Sequence, residues 1–145
     1  MDEFLTRAFT YILSLSVVTT ILIYILDLPG YLTGAHDLVK IYYYQNAVYS
    51  FLLDIVLVAI YISAAMYVTS AFNIKGNAKE LITVSGVTAV ISTIFMLIFQ
   101  TGIAKGTFFH KWFERVGTIA VLYDVILVTS VFFLMKIIYN RFYNI

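Results

Sequence analysis

The sequence predicts an all-α polytopic membrane protein, with four transmembrane helices in one bundle forming a single domain over residues 1–145. Three observations carry this reading. The chain is 62% hydrophobic and only 12% charged, with a mean hydropathy of +0.95, too apolar to be covered by a water-facing surface. Its apolar residues gather into four runs of about 20, the length that crosses a hydrocarbon core. Between the runs lie helix breakers and polar turns.

The first run covers residues 8–28 and stops at Pro29-Gly30, where proline lacks a helical donor and glycine loosens the backbone. The short segment ahead of it is mildly acidic through Asp2 and Glu3. No small-residue cleavage motif follows the run, so the first helix is expected to be retained. Residues 31–45 make a long, aromatic, weakly charged connection. The second run covers residues 46–70 and ends in the polar turn Asn73-Ile74-Lys75-Gly76-Asn77. The third covers residues 81–101, and a second long aromatic connection, residues 102–115, leads to the fourth at residues 116–138. At about 1.5 Å per residue, each run reaches across a bilayer with some tilt.

The link over residues 72–80 is short and hydrophilic, which makes spans two and three antiparallel neighbours. Tyr42, Tyr43 and Tyr44 in the first connection, and Phe108, Phe109, Trp112 and Phe113 in the third, are types that settle at a headgroup boundary. Both connections are expected either as short interfacial helices or as plain aromatic belts flanking the spans. Residues 139–145 extend the last helix at the interface, with Lys136 and Arg141 snorkelling towards headgroups. Arg7, Lys75, Lys79, Lys136 and Arg141 fall on one side of the spans, and Lys40, Lys105, Lys111 and Arg115 on the other. That small excess, with two lysines close to span ends, predicts cytosolic termini.

Composition also excludes. A net charge of +1 from scattered basic residues gives no electrostatic footprint for nucleic acid. The absence of cysteine removes disulfides, thiolate metal sites and thiol redox chemistry. His36, Asp37, His110 and Glu114 lie in the two long connections without a ligand motif, and there is no nucleophile context or phosphate cradle. No metal and no cofactor are expected, and catalysis is the least supported class.

Two stretches of the sequence are candidates for a duplication. Leu53-Asp54-Ile55-Val56-Leu57-Val58 reads like Tyr123-Asp124-Val125-Ile126-Leu127-Val128, and the spacing of Gly30, Gly34 and His36 resembles that of Gly102, Gly106 and His110. The halves would be residues 1–72 and 73–145, two helical hairpins of the same orientation in a parallel repeat. Chance similarity among Ile-, Val- and Leu-rich helices is the competing explanation.

Asp54 and Asp124 are the most informative residues. Each lies eight residues inside its run, about 12 Å deep, beyond the reach of headgroup water for so short a side chain. They must face protein, trapped water or each other. Ser50 and Tyr61 share the helical stripe of Asp54, while small residues, Gly117 and Ala120, lead up to Asp124. Ser92 and Thr88 on the third span and Tyr123 on the fourth complete a thin polar seam, with Asp27 and Tyr24 as entrance candidates, unless Asp27 simply reaches interfacial water at the end of its span. One function class makes the acids a proton or cation relay in a small channel or transporter, working as a homo-oligomer in the lipid bilayer. The other makes them pins that fix helix register in a structural or assembly subunit of a larger membrane complex or viral envelope.

Overall fold

A computed structural model describes residues 3–103 and 105–143. Helix accounts for 88% of the described residues, and no strand occurs among them. Helix α1, Glu3–Thr19, runs directly into a π-helical segment, Thr20–Ile25. Two short helices follow, α2 (Leu28–Thr33) and α3 (His36–Val39), the second continuing into another π-helical segment, Lys40–Gln45. Then come α4 (Ala47–Ala71), α5 (Asn77–Gln100), α6 (Phe108–Val116) and α7 (Thr118–Tyr143).

Four of these units are long and apolar enough to cross a membrane: Glu3–Ile25, Ala47–Ala71, Asn77–Gln100 and Thr118–Arg141. Their outward faces agree. Leu52, Val56 and Ile60 on α4, and Val90, Ile94 and Leu97 on α5, are exposed, although these are the positions where a helix bathed in water carries polar groups. The chain has the architecture of a multi-pass membrane protein.

Local chemistry sets the boundaries. Helix α1 begins five residues earlier than its apolar run, at Glu3, whose carboxylate suits a helix start and pairs with Arg7 one turn on at 2.8 Å. Asp27, in the left-handed region at φ 49°, separates the π-helical segment from α2, a conformation that a short polar side chain tolerates. Thr107 caps α6 by accepting from the His110 backbone N–H at 3.4 Å. Gly117, at φ 63°, turns the chain between α6 and α7, so Val116 closes α6 and the fourth span starts at Thr118.

Helix α5 packs along α7, α7 also lies against α1, and α4 lies against α5, matching the adjacency expected of a short link. Polar bonds tie these contacts. Tyr11 on α1 donates its hydroxyl to the Ile55 carbonyl of α4 at 2.5 Å, and Ser85 and Thr129 share a hydrogen bond between α5 and α7 at 2.9 Å. Lys136 differs from expectation. Instead of reaching for headgroups, it turns across to α5, forming an ion pair with Glu80 and donating to Asn77 Oδ1 at 3.1 Å. The pair satisfies both charges within the protein. The C-terminal extension continues helically to Tyr143; Asn144 and Ile145 lie outside the described residues.

Both long connections contain helical segments, and several of their aromatic residues turn inward while Tyr31 and Tyr44 stay exposed. Tyr42, Tyr43, Trp112 and Phe113 are buried. Tyr42 stacks on Phe108 with ring centroids 4.1 Å apart, and Phe108 stacks on Trp112 at 5.6 Å. Helix α6 shows why: it is two-faced, with His110, Trp112 and Phe113 inward and Lys111, Glu114 and Arg115 outward. Burying rings against rings removes more apolar surface from water than leaving them at a boundary.

Candidate functional site: an aromatic cavity with two carboxyls

The rings that close over the ends of the long helices leave a cavity of about 270 Å³ beneath them. Helix α4 contributes Asp54, Val58 and Tyr61 to its wall, and α7 contributes Asp124, Leu127 and Val128. Phe95 and Phe99 come from α5, Tyr42 and Tyr43 from the second π-helical segment, and Phe108, Phe109, Trp112 and Phe113 from α6. Among the described residues, no lysine, arginine or histidine lines it. The polar side chains are two carboxyls, three phenols and the indole of Trp112 in an otherwise carbon-lined space.

Helical periodicity explains how the acids arrive there. Ser50, Asp54, Val58, Tyr61, Ile62 and Ala65 are the buried residues of α4, spaced three and four apart along one stripe. Asp54 stands seven residues into α4 and Asp124 six into α7, depths that differ by about one residue rise of 1.5 Å. The two carboxyls are held differently. Asp124 Oδ2 accepts from the Ser92 hydroxyl at 2.5 Å. Asp54 is only 7% exposed, and its Oδ2 has no hydrogen-bond partner among the described residues.

The other residues of the expected seam divide. Tyr61 is on the cavity wall with the acids, and Ser92 stands behind Asp124. Tyr123 is buried off the wall, its ring 6.5 Å from that of Tyr43. Thr88 is fully buried one turn before Ser92, and its hydroxyl has no partner among the described residues. Ser50 is buried but spends its hydroxyl on the Ala47 carbonyl of its own helix, at 3.0 Å.

Neither Tyr24 nor Asp27 lines the cavity. Tyr24 donates to the Tyr43 carbonyl at 2.5 Å, and Tyr44 donates to the Ile23 carbonyl at 3.1 Å. The two π-helical segments thereby brace each other, with the tyrosine rings edge to face at 5.3 Å. Each bond satisfies a carbonyl near a helix end, where intrahelical partners run out. Asp27 is half-exposed, its carboxylate 3.8 Å from His36 Nδ1. Gly30 makes room for both: a Cβ there would come within 2.8 Å of the imidazole and 2.9 Å of the carboxylate.

Around the cavity, burial is the main influence on the phenols. It pushes the Tyr42 hydroxyl up, with Asp54 adding to the effect, and pushes the Tyr43 hydroxyl well above the ordinary tyrosine range, with Tyr123 next in weight. Both are neutral hydroxyls at physiological pH. Outside, Arg115 at the end of α6 holds Asp37 of α3 through two contacts of 2.7 Å, fastening the first connection to the third. That hydrogen bonding lowers the Asp37 carboxyl below its ordinary value. His110 pairs with Glu114 at 3.2 Å, and no three metal-ligand side chains converge among the described residues.

The aromatic walls were the part of the site that sequence reading missed, because the same rings fit a headgroup boundary equally well. A signal was present: Tyr42 precedes Asp54 by twelve residues, and Trp112 precedes Asp124 by twelve. Comparison with models of known protein families, with curated proteins and with solved structures finds no match to this chain. Fold and site define a multi-pass membrane protein with an acid-bearing aromatic cavity.

Proposed function

We propose that this protein moves protons or cations across a membrane by way of Asp54 and Asp124. The observation that carries the reading is that both carboxyls, from different spans and at nearly equal depth, border one cavity. An acid in hydrocarbon is expensive to maintain and is a functional group by default. Asp54, with an unengaged oxygen, is the acceptor side of the relay. Asp124 is its second station, Ser92 orients it, and Tyr61 offers a hydroxyl between helices.

In this reading the four spans form a membrane-embedded bundle, the connections on the cavity side lie at the interface, and both termini are cytosolic. Helix α1 against α7 and helix α4 against α5 are equivalent contacts under a parallel repeat. The matched Tyr42–Asp54 and Trp112–Asp124 spacings favour a duplication as well, whereas the extensive packing of α5 on α7 has no comparable counterpart between α1 and α4. One thin bundle leaves much of a polar pathway incomplete, so in this reading a homo-oligomer is the working unit.

The bond from Ser92 to Asp124 favours a second reading, in which the acids are pins of an assembly subunit. Flux separates the two. Purified wild-type protein in liposomes is expected to carry a pH-driven current above that of empty vesicles, and Asp54→Asn or Asp124→Asn to abolish it without loss of assembly. Wild-type vesicles no leakier than empty ones would sink the relay and leave the pins.

A further inference from the structure

We infer that the cavity is a binding site for a compact organic cation, a ring-bearing amine or quaternary ammonium, with Asp54 as its counter-charge. The inference rests on the transport reading and names the class of cation. Three features of the cavity lead to it.

The first is the sign of the lining. Carboxylates, phenol oxygens and aromatic faces are electron-rich, and no basic side chain among the described residues lines the cavity to offset them. Asp54 lines the wall, and its Oδ2 is buried with no hydrogen-bond partner among the described residues. Such a group is costly unless something completes it.

The second is the kind of positive charge that fits. A metal cation such as calcium takes about six to eight oxygen ligands. Here one Asp124 oxygen is already engaged by Ser92, and most of the remaining wall is carbon. Aromatic faces instead attract a diffuse charge carried on alkyl groups, most strongly where water is excluded. Tyr42, Phe108 and Trp112 stand in one continuous stack beside Asp54.

The third is size and access. The cavity, at about 270 Å³, exceeds the roughly 150 Å³ that admits benzene to an engineered core. A groove on the outer surface, bordered by Tyr49 and Leu53 of α4, shares Tyr42, Phe99, Phe108 and Phe109 with the cavity wall. A lipophilic cation therefore has a route along apolar surface that a hydrated ion lacks.

Trp112 is the single tryptophan of the chain and lies on the cavity wall, so its fluorescence reports occupancy. Titration of the full-length protein in lipid nanodiscs with phenyltrimethylammonium chloride should give a saturable change. Its uncharged isostere tert-butylbenzene should bind more weakly. Asp54→Asn should weaken the cation by roughly tenfold or more and leave the isostere unmoved, with far-UV circular dichroism confirming that the variant is helical. The comparison of the two probes on wild-type protein stands even if the variant does not fold. A flat titration, or equal affinity for both probes, overturns the inference. A flat titration with proton-driven flux intact removes the cation site and spares the relay, whereas saturable, charge-dependent binding by protein that carries no flux upholds the site and removes the relay.

Discussion

The hydroxyl of Ser92 donates to Oδ2 of Asp124 at 2.5 Å, joining α5 to α7 beside the cavity. Asp54, on α4, has no such donor on its Oδ2 among the described residues. The same residue type is thus tethered on one helix and left open on the other.

Ser92→Ala removes that donor and leaves a buried oxygen unsatisfied. Interhelical hydrogen bonds in membranes contribute about 0.6 kcal/mol on average and up to about 1.7, so a loss of about 1 kcal/mol is expected. Asp54→Asn breaks no bond to Oδ2 and should cost less. Melting of both variants in one detergent checks the order, and a larger loss for Asp54→Asn would contradict it.

Tyr24→Phe and Tyr44→Phe each remove one of the two bonds that cross-brace the π-helical segments. Each should cost about 0.5–1.5 kcal/mol. Because the two rings also touch, the costs should not add, and the double variant should show a coupling energy above about 0.5 kcal/mol. A strictly additive cycle would mean that the braces act independently.

Tyr42→Phe deletes a buried hydroxyl with no partner among the described residues while keeping the ring that stacks on Phe108. The empty protein should be as stable as wild type or more stable by about 1 kcal/mol, the desolvation cost of an unsatisfied group. A clear fall in melting temperature would reveal a bond to that hydroxyl.

The Asp37–Arg115 pair makes a pH-dependent contribution of definite sign. Hydrogen bonding to Arg115 lowers the Asp37 carboxyl, so the stability it adds is present above the unfolded value of about 3.9 and is lost as pH falls through the lower folded value. The difference in melting temperature between wild type and Asp37→Asn should be visible at pH 7 and vanish near pH 2. The two residues are exposed, so 1 M salt should shrink it at neutral pH as well. A difference that persists into acid would assign it to packing.

Much of the fold was legible because span length and helical stripe are properties of short stretches of chain. The four runs, the α4–α5 adjacency, and the inward stripe through Ser50, Asp54 and Tyr61 all follow from local periodicity. The roof over the cavity was not legible, since a tyrosine or tryptophan near a span end serves a lipid boundary and a ring stack equally well. Only tertiary packing chooses between them. Lys136 was misjudged for the same reason: its partner Glu80 is 56 residues away, beyond any local pattern. The division of labour between the two acids also depends on a distant residue, Ser92 on a neighbouring helix.

The stack of Tyr42 on Phe108 seals one side of the chamber with carbon instead of charge. Such a seal ignores ionic strength, softens with heat and with looser acyl chains, and slows a hydrated visitor far more than a greasy one. Under the proposed transport role, passage on that side would be metered by one ring sliding off another, and the composition of the surrounding lipid would become a control on it.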